Sequence, residues 1–262
     1  MNIVVCLKQV PATTEVKIDP QTNTLIRAGI KNIVNPYDTY ALEEAIRLKE
    51  RYGGTVTVIS MGPPQAEQML REAIACGADQ AYLLSDRAFA GADTLATSYT
   101  LSLAIIRQVK ECDLVICGKQ SVDSDTGQVG PQLAQTLGFS FVSYVDNIEE
   151  VSSGKMRARR MIDEGHETVE TSLPAVISVV KGLNVPRLPS LRGIMRAKNA
   201  VIPVLTAQQL DADPQLIGLT GSATKVVRIF SPERVCRGEK LTGDAEAQVD
   251  CLISKLRESG II

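Results

Sequence analysis

DLVICGKQSVDSDTGQVGPQLAQTLG, residues 113–138, holds a strand, a loop and a helix in succession. After Asp113, the run Leu114-Val115-Ile116-Cys117 is short, aliphatic and β-branched, the pattern of a strand buried on both faces. Gln132 to Leu137 reads as a helix that Gly138 stops. Between them, Gly118 to Pro131 is packed with glycine, hydroxyls and acids. A strand, a glycine-bearing loop and a helix N-terminus make a candidate anion site. Backbone N–H groups at a helix start lack internal partners, and the helix dipole adds partial positive charge there.

Working outward, apolar β-rich runs recur at Ile3–Leu7, Val56–Ser60 and Ala81–Leu84, with helical patterns between them. In the first helix Asn35 stands at the cap, Pro36 at the first helical position and Asp38 in the first turn. Ala41, Ala45, Leu48 and Tyr52 share one face, and Gly53-Gly54 ends it. A second helix opens at Pro64 and closes at Gly77. A third runs from about Asp93 to Lys110, with Leu95, Tyr99, Leu103 and Ile106 expected inward. Strands alternating with helices predict a doubly wound α/β fold, a mostly parallel sheet covered on both faces. Ligands of such sheets bind beyond the carboxyl ends of the strands. Here those ends are Cys6 to Gln9, Ser60 to Pro63, and Gly118 to Gln120. Lys8 and Lys119 read equally well as solvated loop charges or phosphate ligands.

From about residue 141 the pattern changes. Phe141–Val145, Lys155–Met161 and Glu167–Thr171 are short strand-like runs divided by Ser153-Gly154 and Glu164-Gly165, which predicts an added antiparallel hairpin region. Ala175–Val180 is another buried strand. Beyond Pro186 the periodicity is lost, and prolines recur at 189, 203 and 214. The expected division is a nucleotide-binding α/β domain over 1–185 and an irregular C-terminal extension over 186–262. In the last helix, about Ala245 to Ser259, Val249, Leu252, Ile253 and Leu256 form an apolar stripe that must pack on this chain or another.

Composition excludes several functions. The 262 residues carry a net charge of −2, which gives no basic surface for nucleic acid. Aromatics are 4% and tryptophan is absent, which weakens any base-stacking role. No apolar run approaches the roughly 20 residues of a membrane span. The start runs straight into a strand, with no charged leader, so a cytoplasmic location is expected. Cys6, Cys76, Cys112, Cys117, Cys236 and Cys251 are scattered without a Cys-x-x-Cys pair, and read as reduced core thiols. With His166 as the sole histidine, in a polar hairpin, neither a zinc site nor a histidine-activated nucleophile is expected.

The 118–131 loop is not a P-loop, since Gly118-Lys119 has neither the upstream glycine nor the following Ser/Thr. Nor is it G-x-G-x-x-G. Asp123 and Asp125 would repel a bare phosphate unless they face away, so Asp125 is expected to cap the helix and Asp123 to bond a ribose or loop amides. Backbone N–H groups from Thr126 to Gly130, with the Thr126 hydroxyl, are the expected phosphate donors. An acidic surface loop without a ligand is the alternative.

Ala158-Arg159-Arg160-Met161-Ile162-Asp163-Glu164-Gly165-His166-Glu167-Thr168-Val169, followed by Pro174 to Ser178, resembles the signature of electron-transfer flavoprotein β subunits. Cys6 to Val10, Asn35 to Asp38, Met61-Gly62-Pro63, the Gly118–Pro131 loop and Asn184 to Arg187 are similar too, in the same order. The resemblance implies a Rossmann-like domain of the adenine-nucleotide alpha-hydrolase type, paired with an α subunit. It implies a nucleotide pocket formed by Cys6, Asn35, Pro36, Tyr37, Asp38, Met61, Gly118, Lys119, Gln120, Ser121, Val122, Asp123, Ser124, Asp125, Thr126, Gly127, Gln128 and Val129. That pocket holds AMP in the ordinary branch and FAD, reduced by NADH, in the electron-bifurcating branch. Arg187 to Met195 falls where the family docks on an acyl-CoA dehydrogenase-type flavoenzyme, with Leu191 as the apolar anchor. Ferredoxin or flavodoxin is the implied low-potential acceptor.

Gly127-Gln128-Val129-Gly130-Pro131 and the opening Lys8 to Thr14 resemble the bifurcating branch more closely, which favours FAD. Met61 stands where some AMP-binding members have cysteine, and leaves a softer contact for a ring system. Met161 stands where some members have an acid near the flavin, which puts charge-based tuning from that position in doubt. Rival readings are a stand-alone adenine-nucleotide-binding or hydrolysing protein, for which no general base is evident, and a structural subunit with an empty or AMP-filled pocket.

Overall fold

The computed structural model describes residues 1–12, 32–227 and 238–262. The chain divides into two compact units, Met1–Val227 and Arg228–Ile262. In the first, β1 (Asn2–Cys6) leads to a short antiparallel ribbon of β2 (Gln9–Pro11) and β3 (Asn32–Val34). Then follow α1 (Pro36–Tyr52), β4 (Thr55–Met61), one 3-10 turn at Pro64–Ala66, α2 (Glu67–Cys76) and β5 (Gln80–Leu84). Next come α3 (Thr94–Gln108), β6 (Leu114–Gly118) and α4 (Val129–Leu137). The hairpin strands are β7 (Ser140–Ser152), β8 (Lys155–Ile162) and β9 (Gly165–Ser172); β10 (Ala175–Val179), α5 (Leu191–Asn199) and β11 (Val204–Leu205) close the unit.

Nine strands form one sheet in the order β11-β5-β4-β1-β6-β10-β7-β8-β9. All pairs from β11 to β7 are parallel, and β7-β8-β9 is the antiparallel addition. The expected mixed α/β architecture is therefore present. Successive strand residues go to opposite faces. Ile3 and Val5 join Ala41, Ala45 and Leu48 of α1 and Leu70 and Ile74 of α2, whereas Val4 and Cys6 join Leu101 and Ile105 of α3 and Leu133 of α4. With both faces covered, both sets of positions must be apolar, and the strands read as unbroken apolar runs. The chain proceeds from β1 through β4 to β5 on one side, then returns to place β6 on the other side of β1. The crevice between the ends of β1 and β6 is the topological switch point of the sheet.

Two expectations about helices fail, the first in part. In α3, Ala96, Ser98, Thr100, Leu101, Ser102, Ala104 and Ile105 are buried; of the four residues expected inward, Tyr99 and Leu103 are half-buried against the core, but Leu95 and Ile106 are 44% and 63% exposed. The hydroxyls can face inward because each bonds a carbonyl of its own helix: Ser98 to Thr94, Thr100 to Ala96, Ser102 to Tyr99, at 2.7–2.8 Å. The 186–200 stretch, expected to be irregular, contains α5, capped by the Ser190 hydroxyl accepting from the Gly193 N–H at 3.0 Å. Its contact residue is a glycine: a Cβ on Gly193 would overlap the Ala75 carbonyl oxygen of α2, so no apolar periodicity announces the contact.

Cys6 and Cys117 are buried and Cys76 and Cys112 half-buried, but Cys251 is exposed, against the expectation of a core thiol; Cys236 lies outside the described residues. In the second unit, α6 (Ala245–Glu258) is capped by Asp244, which accepts from the Ala247 N–H at 2.9 Å. No residue of α6 is buried, and Val249 and Leu252 of the apolar stripe are exposed. No helix among the described residues is long and apolar enough to cross a membrane.

Candidate functional site

Lys8, Asn35, Asp38, Gly118 and Gln120 meet at the β1/β6 crevice, and one buried carboxylate organises them. Asp38, in the first turn of α1, is 5% exposed. It accepts the Lys8 N–H at 2.7 Å, the Gly118 N–H at 3.2 Å and the Asn35 side-chain amide at 2.8 Å. One group thus ties the end of β1, the end of β6 and the start of α1. Asn35 does not cap α1 with its side chain; its amide also donates to the Gln120 carbonyl at 2.9 Å and accepts the Val122 N–H at 3.2 Å. Pro36 starts the helix beside it. The loop is therefore shaped from below by Asn35 and Asp38.

Gly118 is required by closeness. A Cβ there would stand 2.5 Å from Asp38 Oδ1 and 2.6 Å from Tyr37 Cβ. Gly127 has φ +64, in the left-handed region that favours glycine, and its Cβ position lies 3.3 Å from the Lys119 carbonyl oxygen. Among the described residues, the backbone N–H groups of Thr126, Gly127 and Gln128 make no hydrogen bond, and they precede α4 directly. Free donors at a helix start fit the phosphate-bearing half of a nucleotide.

The loop acids are disposed of locally. Asp123 pairs with Lys8 at 2.6 Å, and Ser121 lies 3.3 Å from the same ammonium and 2.7 Å from Ser124. Asp125 does not cap α4, as the sequence suggested: the helix starts at Val129, beyond its reach, and Asp125 instead accepts from the Gln120 side-chain amide at 2.6 Å. Gln128 accepts the Thr94 hydroxyl at 3.0 Å, which joins the loop to the start of α3. Met61 ends β4, two strands from β6, and Cys6 ends β1. Burial, then the neighbouring Cys117 and Asp38, push the Cys6 thiol well up, so it is no nucleophile. No local feature marks Asp38 as the hub, because a first-turn acid reads as an ordinary helix-dipole partner.

Burial pushes the Asp38 carboxyl up to about 7, against the hydrogen bonds from Asn35, Lys8 and Gly118 and the Lys8 charge, which hold it down. Unfolded, it titrates near 3.8. Folding thus takes up a proton between about pH 4 and about pH 7, and this group's contribution falls by about 4 kcal/mol as pH rises through that window. Asp38→Asn, which cannot ionise, is expected to flatten the difference in denaturant stability across that range. Parallel curves for the two proteins would show that the three donors keep Asp38 ionised throughout.

Leu191, the first residue of α5, is 84% exposed and Met195 is 70% exposed. Arg187 is held differently. Its guanidinium donates to Glu43 at 2.8 and 3.1 Å and to Glu50 at 2.6 and 3.0 Å, which pins the segment to α1.

A parallel sheet with an anion cradle at its switch point is the architecture of nucleotide-binding α/β proteins. The family description "Electron transfer flavoprotein domain" matches residues 22–210. The chain is 50% identical to the electron transfer flavoprotein subunit beta of Thermoanaerobacterium thermosaccharolyticum, over 263 aligned residues and all of both chains. It is 49% identical, again over the whole of both chains, to the caffeyl-CoA reductase-Etf complex subunit CarD of Acetobacterium woodii. It is 46% identical to Protein FixA of Azotobacter vinelandii, over 89% of this chain and 85% of that one. The chain belongs to the electron transfer flavoprotein family, as a beta subunit.

Proposed function

We propose that this beta subunit binds FAD in the β1/β6 crevice and, with an α subunit, passes electrons from NADH to an acyl-CoA dehydrogenase-type flavoenzyme and a low-potential ferredoxin or flavodoxin. The observation that carries the reading is the row of free N–H groups at Thr126–Gln128, set by Gly118, Gly127 and the Asn35–Asp38 hub. That row would hold the phosphates, and the loop from Gly118 to Val129 with Asn35 to Asp38 would hold the adenosine half. AMP shares this half, so the cradle alone serves both. Met61 and the Gln128-Val129-Gly130-Pro131 stretch favour FAD; Thr13 and Thr14 of the opening stretch lie outside the described residues. The relative named as a caffeyl-CoA reductase–Etf complex subunit supports an acyl-CoA partner.

A bound flavin would supply hydride acceptance from a nicotinamide and one-electron release, chemistry that belongs to the cofactor. This chain's own work is to bind, orient and exclude water. No acid or histidine in the crevice is needed to move a proton. Residues 1–185 would form the nucleotide domain and 186–262 the docking extension, in which Leu191 and Met195 meet the flavoenzyme and the apolar stripe of α6 meets the α subunit. Arg187 would hold the docking segment without touching the partner. Anaerobic addition of NADH to the αβ assembly tests the reading. Bleaching of the flavin absorbance is expected; a spectrum unmoved by NADH but bleached by the partner dehydrogenase with its acyl-CoA would leave the AMP-type carrier instead.

A further inference from the structure

Tyr144 stands in a backbone conformation that is costly for its side chain. Its φ is +56, in the left-handed region that is costly for a bulky side chain. It sits where β7 leaves β10 to join β8, beside a register shift between Ile177 and Val179. The turn is locked by its N–H donating at 3.1 Å to the hydroxyl of the buried Ser178. Yet the residue is 44% exposed, so burial of the ring does not offset the strain. Bulges of this kind re-aim a side chain next to a functional site.

The ring is aimed at Lys119. The Lys119 ammonium lies 5.2 Å from the centroid of Tyr37 and 6.0 Å from that of Tyr144. Its backbone is fixed too, the N–H donating to the Val179 carbonyl at 2.9 Å and the carbonyl bordering Gly127. The loop acid Asp123 is taken by Lys8, and no carboxylate pairs with Lys119 among the described residues. A cation held between two aromatic faces, on the loop residue whose carbonyl borders Gly127, is prepared for an anion from outside the chain.

We propose that Tyr144 is a positioning residue of the nucleotide site: with Tyr37 it holds the Lys119 ammonium at the mouth of the 118–129 loop as the counter-charge to the phosphates of a bound adenine nucleotide. This rests on the nucleotide reading given above. A free lysine side chain spreads its charge over many rotamers, whereas two ring faces confine it near the loop without neutralising it.

The test uses the αβ assembly stripped of cofactor, with AMP and FAD as probes. Tyr144→Gly relieves the left-handed strain, so its melting temperature should rise by a few degrees while nucleotide binding weakens about three-fold, the scale of one half-exposed cation–ring contact. Tyr144→Phe keeps the ring face and should bind as the native protein does. Lys119→Gln should weaken binding at least as much, and adding Tyr144→Gly to it should weaken binding no further. A purely structural role would move stability and affinity together and make the two substitutions additive; either result overturns the proposal. If Tyr144→Gly does not fold, Tyr144→Asn, which tolerates the same conformation, serves in its place. Native protein that binds neither AMP nor FAD would overturn the nucleotide reading itself, whereas native binding with unaffected Tyr144 variants overturns only the role of Tyr144.

Discussion

Gly118→Ala is expected to empty the nucleotide site. The added methyl would stand 2.5 Å from Asp38 Oδ1, 2.6 Å from Tyr37 Cβ and 2.9 Å from the Tyr37 carbonyl carbon. Two of these atoms are backbone or held close to it, so the first turn of α1 or the loop must move. Overpacking of this kind costs about 1–3 kcal/mol. Because the contact lies inside the cradle, most of the cost should fall on the binding conformation, and roughly ten-fold in affinity follows from each 1.4 kcal/mol. Nucleotide content per mole of purified assembly should fall about five-fold or more. Gly238→Ala is the control, since nothing lies within 4 Å of a Cβ there. Full nucleotide content in a folded Gly118→Ala protein would show that the cradle is not the site.

Arg187→Met should produce the largest loss of stability among the docking-segment variants. Glu43 has only 8% of its side chain exposed, and Arg187 supplies both guanidinium bonds and a backbone N–H at 3.1 Å. Removing the cation leaves a buried charge uncompensated, at a cost of about 3 kcal/mol, the low end for such changes because a third of the Arg187 side chain meets solvent. Adding Glu43→Gln should recover part of that loss in a thermal melt. Transfer to the dehydrogenase should slow as the 187–195 segment loosens. Leu191→Ala should slow the same transfer with no change in melting, because its side chain is free. An Arg187→Met protein that melts like the native one would remove the anchoring role.

The strands and the first two helices were legible because burial on both faces leaves apolar runs, and because Asn35-Pro36 and Gly53 mark the ends of α1. The Gly118–Val129 loop was legible as a strand–loop–helix junction. Its partners were not. Which strands neighbour β6 is a long-range matter, so the placement of Lys8 beside Gly118 and Asp38 had no local trace. Asp38 looked like a helix-end acid, and its three donors come from residues up to 80 positions away. On α3 large side chains are only half a guide to the inward face: Tyr99 and Leu103 pack on the core, but Leu95 and Ile106 are exposed, while Ser98 and Thr100 are buried with their hydroxyls satisfied within the helix. Asp125 reads as a cap because it is an acid in the loop before a helix, but α4 begins with Gln128 at its cap and Asp125 is taken by the Gln120 amide within the loop. Tyr144 has no local signature, because the bulges that kink β7 arise from its two pairings; they set the buried Val142, Val145 and Ile148 three apart in place of strict alternation.

The crevice at Cys6, Asp38 and Gly127 is proposed to hold FAD. Acid extraction of the αβ assembly, purified with its cofactors and quantified against protein, tests it most directly. The expected result is about two FAD per assembly and no AMP, one FAD from each subunit. One FAD with one AMP would contradict it.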